Sequence, residues 1–195
     1  MNDNQPNTDA RPPGRPPWNK GKLIGAKPPL RPAHVWAIRS KLQLEGKLRD
    51  VAMFNLAIDS KLRGCDLVAL RLDDIAPNGY ALERATIRQK KTSRPVQFEI
   101  TELTRQAIDA YINATGDNLG TYLFPGRGGA SEHLTARQYA RLLGQWIESI
   151  GLDPLKYGTH SIRRTKATLI YRKTGNLRAV QLLFETATYY SETPN

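Results

Sequence analysis

The stretch that decides the fold is YGTHSIRRTKATLIYRKTGNLRAVQLLFETATYYSETPN, residues 157–195. From Thr159 to about Phe184 it reads as two or three short helices, broken at Gly175. His160 and Arg163 stand three residues apart, so a helix beginning here carries both on one face. Taken alone, such a pair is ordinarily a surface feature. Two adjacent tyrosines, Tyr189 and Tyr190, follow near the end of the sequence.

Working outward, basic residues recur where a fold usually avoids them. Arg63 lies in DSKLRGCDLVALRLDDI, at the end of a helix otherwise committed to the core. The segment YALERATIRQKKTSRPVQFEI alternates polar and β-branched residues around a polar KKTS tip, which reads as a β-hairpin. Lys91 sits at that tip, next to Lys90. Singly, each of these charges reads as solvated.

The rest of the body is helical in pattern. AHVWAIRSKLQLEG places Val35, Ile38 and Leu42 at helical spacing, with Gly46 as the stop. RDVAMFNLAIDSKLRG sets Val51, Phe54, Ile58 and Leu62 on one face, and CDLVALRLDDI continues as a short helix. TELTRQAIDAYINATG groups Leu103, Ala107, Ile108 and Tyr111. LTARQYARLLGQWIESIG opens with a Thr135-x-x-Gln138 capping box and carries a core stripe from Tyr139 to Ile150. Between these two helices, YLFPGRGG reads as a strand end and a turn. The fold class is α+β, mainly α, with a small antiparallel β-sheet.

Residues 1–32 form a zone of their own, dense in Pro, Gly, Lys and Arg, with six basic residues against Asp3 and Asp9. Proline removes backbone donors and glycine adds chain entropy, so a flexible basic arm is expected there. It would track phosphates or serve only as a solvated linker. Residues 33–195 form the domain proper. The chain carries a net charge of +11, which points to a polyanionic partner and first to nucleic acid. No apolar run approaches the roughly 18 residues of a membrane helix. A single cysteine, Cys65, rules out an intrachain disulfide and fits a reducing compartment, hence the cytoplasm. No Gly-rich phosphate loop and no His/Cys ligand cluster calls for a nucleotide or metal cofactor.

Order matters more than any single residue. Arginine in LRGCDL, lysine in KKTSRPV, HSIRR, and then a late tyrosine resemble the catalytic domain of tyrosine recombinases, the phage-type integrases. The resemblance covers about residues 33–184. The stretches NLAIDSKLRGCDLVAL and YGTHSIRRTKATLIYRKTGNLRAVQLL, and the tail GRPPWNKGK, are similar to a short bacterial branch of the family. Members of that branch lack a separate N-terminal DNA-clamping domain. The resemblance implies a site-specific recombinase or integrase of mobile elements. Such an enzyme breaks and rejoins double-stranded DNA through a 3′-phosphotyrosine, with no cofactor, no small-molecule substrate and no membrane, and works as an assembly of copies on DNA. It implies that Arg63 and Arg163 grip the scissile phosphate, that Lys91 is the general acid, that His160 contacts the phosphate or takes the tyrosine proton, and that Tyr190 is the nucleophile.

The pattern departs from the family after NLRAVQLLF. Family members continue with Gly-His and a short basic segment before the tyrosine; here the chain runs directly into ETATYYSE. No histidine follows His160. A match that brings Tyr190 onto the nucleophile needs a loss of about five residues, roughly 7 Å along a helix. The C-terminal end is therefore expected to be shortened. The alternative reading is a catalytically defective remnant that binds DNA without cleaving it, with Tyr189 and Tyr190 as frayed terminal residues. An RNA-binding role is disfavoured, because no paired aromatics on strands are available to stack bases.

Overall fold

The computed structural model describes residues 25–116, 119–126, 129–178 and 180. Tyr189, Tyr190 and the first part of the basic arm lie outside the described residues.

The fold is organised around one helix. α1 (Pro32–Leu44) starts on a proline, whose fixed φ and missing N–H suit a first helical turn. Its Val35, Ile38 and Leu42 are buried, on the face expected from their spacing. α2 (Leu48–Ser60) is buried on every side from Asp50 to Ser60, not on one face only. It packs against α1, α5 (Glu102–Thr115) and α7 (Thr159–Thr174), and so forms the axis of the domain. A helix enclosed in this way gains from pairing its polar side chains. Asp50 accepts from Trp146 Nε1 at 3.0 Å, and Asn55 accepts from Arg39 Nε at 2.8 Å.

α2 stops at Ser60 because Lys61 turns into the left-handed region, with φ +53. The chain then restarts as α3 (Gly64–Val68) and α4 (Leu72–Ile75). Arg63 is therefore not the end of the preceding helix, as its sequence context suggested; it is the N-cap of α3, in extended conformation.

The hairpin forms where alternation placed it. β1 (Arg84–Arg88) and β2 (Pro95–Glu99) pair antiparallel with Ile87 opposite Val96. Ala85, Ile87, Val96 and Phe98 face the core. A second, smaller hairpin joins β3 (Pro125–Gly126) to β4 (Gly129–His133), where the sequence read as one strand end and a turn. α6 (Ala136–Ser149) opens with the expected capping box: Thr135 Oγ1 accepts from Gln138 N, and Gln138 Oε1 accepts from Thr135 N. Its Tyr139, Leu143, Trp146 and Ile147 are buried, and the Trp146 ring meets Phe54 and Tyr139 edge-on.

α7 runs unbroken to Thr174 and ends at Gly175, which takes φ +63. The last residues of the expected arm lie against it. Leu30 is buried and donates its N–H to Thr165 Oγ1, while Lys27 Nζ donates to the Tyr157 carbonyl at 2.8 Å. The packed body thus begins before residue 33. Among the described residues no helix is long and apolar enough to cross a membrane.

Candidate active site

The elbow between α2 and α3 builds the site. A helix leaves its last carbonyls without intrahelical partners, and at the end of α2 two cations from α7 use them. Arg163 Nε donates to the Lys61 carbonyl at 2.9 Å. Lys166, one turn further along, reaches the Asp59 carbonyl at 3.3 Å and its carboxylate at 3.4 Å. The negative end of the α2 dipole favours both contacts.

Asp59 is the anchor beneath. Its carboxylate accepts from Thr101 N at 3.0 Å, Thr101 Oγ1 at 2.7 Å and Thr104 Oγ1 at 2.6 Å, in addition to Lys166. One buried carboxylate therefore ties α2 to the start of α5 and to α7. The same elbow places Arg63. Gly64 lies so close to α6 that an added Cβ would meet the Tyr139 ring at 3.2 Å and Thr159 Cγ2 at 3.7 Å. That approach brings the start of α3 against the start of α7, and Arg63 toward Arg163.

The two arginines share one electrostatic environment. Burial first, and then the Arg63 guanidinium, hold Arg163 below the ordinary arginine range, while the Asp66 carboxylate acts in the opposite direction. Asp66 is buried; its Oδ1 accepts the Lys90 backbone N–H at 3.0 Å, and its Oδ2 has no partner among the described residues. Arg163 uses Nε on the backbone, and among the described residues its terminal nitrogens have no hydrogen-bond partner, which suits them to a ligand. Two half-buried guanidiniums beside a single carboxylate leave excess positive charge, which an anion offsets best. Planar forks of this kind suit phosphate oxygens.

The hairpin tip is tied into the same site. Gln89 Oε1 accepts from Arg63 Nη1 at 2.8 Å and from Thr92 Oγ1 at 2.8 Å. The turn is closed by Ser93 at φ +54, whose N–H donates to the Gln89 carbonyl. Lys91 lies within this turn and is exposed, with no hydrogen bond or ion pair among the described residues. His160 is in the first turn of α7, exposed, one turn before Arg163. Arg63, Arg163 and the turn bearing Lys91 are thus linked by direct contacts or a shared field, and His160 by its place on α7. Tyr190 lies outside the described residues. A separate cavity of about 340 Å³, lined by Arg49, Leu134, Gln138, Arg141 and Leu142, contains none of these residues.

Sequence reading missed Asp59, Lys61, Asp66 and Gln89. The one signal available was an aspartate set in the apolar run CDLVAL, where an unpaired charge would be costly.

Comparison with known proteins gives the family and the fold. The sequence model of the phage integrase family matches residues 30–187. The tyrosine recombinase XerD of Caulobacter vibrioides is 30% identical over 142 residues, spanning 70% of this chain and 45% of XerD. XerC of Neisseria meningitidis is 29% identical over 171 residues, spanning 80% of this chain and 53% of XerC. The chain thus spans about half the length of the curated relatives it matches. Among solved structures, the XerA recombinase superposes with a TM-score of 0.66 at 17% identity, covering 95% of this chain and 62% of XerA. The XerH recombinase in a post-cleavage complex with its palindromic difH substrate gives 0.63 at 18% identity, covering 86% and 48%. The Tn1549 transposon integrase in complex with circular intermediate DNA gives 0.61 at 18% identity, covering 88% and 65%. These likenesses share the fold: mainly helical, with the small antiparallel sheet at its side. With the family match extending over most of its length, the chain belongs to the phage integrase family, as the order of Arg63, the hairpin lysines and HSIRR implied.

Proposed function

We propose that this chain is the catalytic part of a site-specific DNA recombinase that breaks and rejoins duplex DNA through a 3′-phosphotyrosine. The observation that carries the reading is the pairing of Arg63 and Arg163 in one half-buried field, with Arg163 aimed by the Lys61 carbonyl.

The chemistry follows from the charge that develops. The Tyr190 oxygen attacks the scissile phosphorus, and the P–O5′ bond breaks. Negative charge gathers on the non-bridging oxygens, where Arg63 and Arg163 donate. The leaving 5′-oxygen takes a proton from the Lys91 ammonium. His160 holds the phosphate or accepts the tyrosine proton. Attack by a 5′-hydroxyl on the phosphotyrosine reverses the step and rejoins a strand. The bond energy stays in the phosphotyrosine, so no nucleotide or metal is needed. Exchanging strands between two duplexes requires several copies on the DNA. The basic residues 1–32 add phosphate contacts, and the protein works in the cytoplasm on DNA of mobile elements.

The test is covalent trapping on nicked duplex DNA from the genomic neighbourhood. A denaturation-resistant adduct that is lost in Tyr190→Phe and kept in Tyr189→Phe supports the reading. Salt-dependent DNA binding with no adduct on any of those duplexes would overturn it in favour of a protein that binds DNA without cutting it.

A further inference from the structure

We propose that His133 is a positioning residue that holds Lys90 aside and so presents Lys91 as the hairpin's proton donor. The inference rests on the recombinase reading for its purpose, and on the following geometry for its substance.

Two adjacent lysines occupy the hairpin tip, and only one can be aimed at a leaving oxygen. They are treated differently by the fold. Lys90 is held at both ends: its backbone N–H donates to Asp66 Oδ1 at 3.0 Å, and its ammonium lies 3.1 Å from His133 Nε2. Lys91 is exposed and makes no such contact among the described residues.

The protonation of the His133 ring follows from its other nitrogen. Nδ1 lies 2.6 Å from the Leu134 carbonyl, which can only accept. Nδ1 therefore carries the proton, and in the neutral ring Nε2 is a bare acceptor. A lysine ammonium is a donor only, so the two groups match. The ring is also fixed in place. Tyr122 packs edge-on at 5.0 Å between centroids. Leu134 is buried, and its N–H donates to the Phe124 carbonyl at 2.9 Å. β3 runs so close behind that a Cβ on Gly126 would lie 2.9 Å from the His133 carbonyl oxygen. The second hairpin thus acts as a fixed post to which the first is tied through Lys90.

The arrangement can be tested on the free protein, without DNA or turnover. The first measurement is the ¹⁵N shift pattern of the His133 ring in the wild-type chain, followed upward in pH until the ring is neutral. The Nδ1-protonated tautomer is expected; an Nε2-protonated ring would overturn the proposal with no variant needed. The second is competitive reductive methylation of the lysines, read site by site by mass spectrometry. Lys91 should react roughly fivefold faster than Lys90, the range of a single net hydrogen bond. His133→Ala should bring the two rates together, and His133→Gln, which keeps an acceptor at similar reach, should restore the difference. Equal rates in the wild type, or an unchanged ratio in a folded His133→Ala, would contradict the proposal. Failure of the recombinase reading shows up separately, as a missing DNA adduct, and leaves these readouts unaffected.

Discussion

The two sides of the site are built differently. The arginine side is braced from within. Arg163 is bonded to the Lys61 carbonyl just past the end of α2, Lys166 to Asp59, and Asp59 in turn to Thr101 and Thr104. The lysine side is a surface turn fastened at Gln89 and Lys90, from which Lys91 extends exposed. The difference fits the two tasks that the proposed chemistry assigns to them. Donors that stabilise developing charge act best when fixed before the reaction, because they then need no reorganisation. A group that gives up a proton and regains it must exchange with solvent, and exposure permits that.

The largest expected effect lies on the exposed side. Lys91→Ala should lower adduct formation by about 10²–10⁴ while leaving the melting temperature in place. A substrate with sulfur as the bridging leaving atom should recover most of that loss, because a thiolate leaves without a proton. Lys90→Ala should cost far less. Equal losses in the two variants would break the distinction between the lysines.

Next comes the brace. Asp59→Ala removes the acceptor shared by two threonines and a lysine, and should lower stability by about 3–5 kcal/mol in urea unfolding, the range for breaking a buried pair. A small change would mean that α2, α5 and α7 are held by apolar packing alone.

Lys61 offers a smaller and opposite effect. It is a non-glycine residue in the left-handed region, where glycine carries no Cβ penalty. Lys61→Gly should keep the carbonyl that aims Arg163 and raise stability by about 1 kcal/mol. The smallest effect is a pH dependence at the same residue. Burial first, and then the nearby Lys166, lower Lys61 to about 8 in the folded protein, from 10.5. Between these values the unfolded chain binds more protons than the folded one, so stability rises with pH. Buried Tyr139 is raised, and acts in the opposite direction only above about pH 10, where the unfolded tyrosine ionises. The melting temperature of the wild type relative to Lys61→Met should therefore climb from pH 8 to pH 10. A flat difference would show that Lys61 is better solvated than its position implies.

The contrast between the two sides also sorts what could be read from the sequence. Local periodicity is a property of neighbouring residues, so α1, α6, the β1–β2 hairpin and the Thr135–Gln138 cap were legible. Arg63, Lys91, His160 and Arg163 stand out only as an ordered set resembling a family, since each alone reads as a solvated charge, and their roles remain a proposal. The brace was not legible. Asp59 and Thr101 are far apart in sequence, and the Lys61 contact uses a backbone carbonyl that no side-chain pattern reports. The Arg63 helix assignment missed for a related reason. Nothing in KLRG announces that Lys61, rather than Gly64, turns left-handed and ends α2. The second hairpin was missed because Pro125–Gly126 is too short to show alternation.

The most direct test of the account is the single-turnover rate of adduct formation on nicked duplex DNA by Arg163→Lys, set beside its DNA affinity. Lysine keeps the charge but loses both the planar fork and the Nε bond to the Lys61 carbonyl. The rate should fall on the order of 10²–10³ with affinity nearly unchanged, because one phosphate among many contributes little to binding. A rate equal to that of the wild type would contradict it, and so would a loss that lies entirely in affinity.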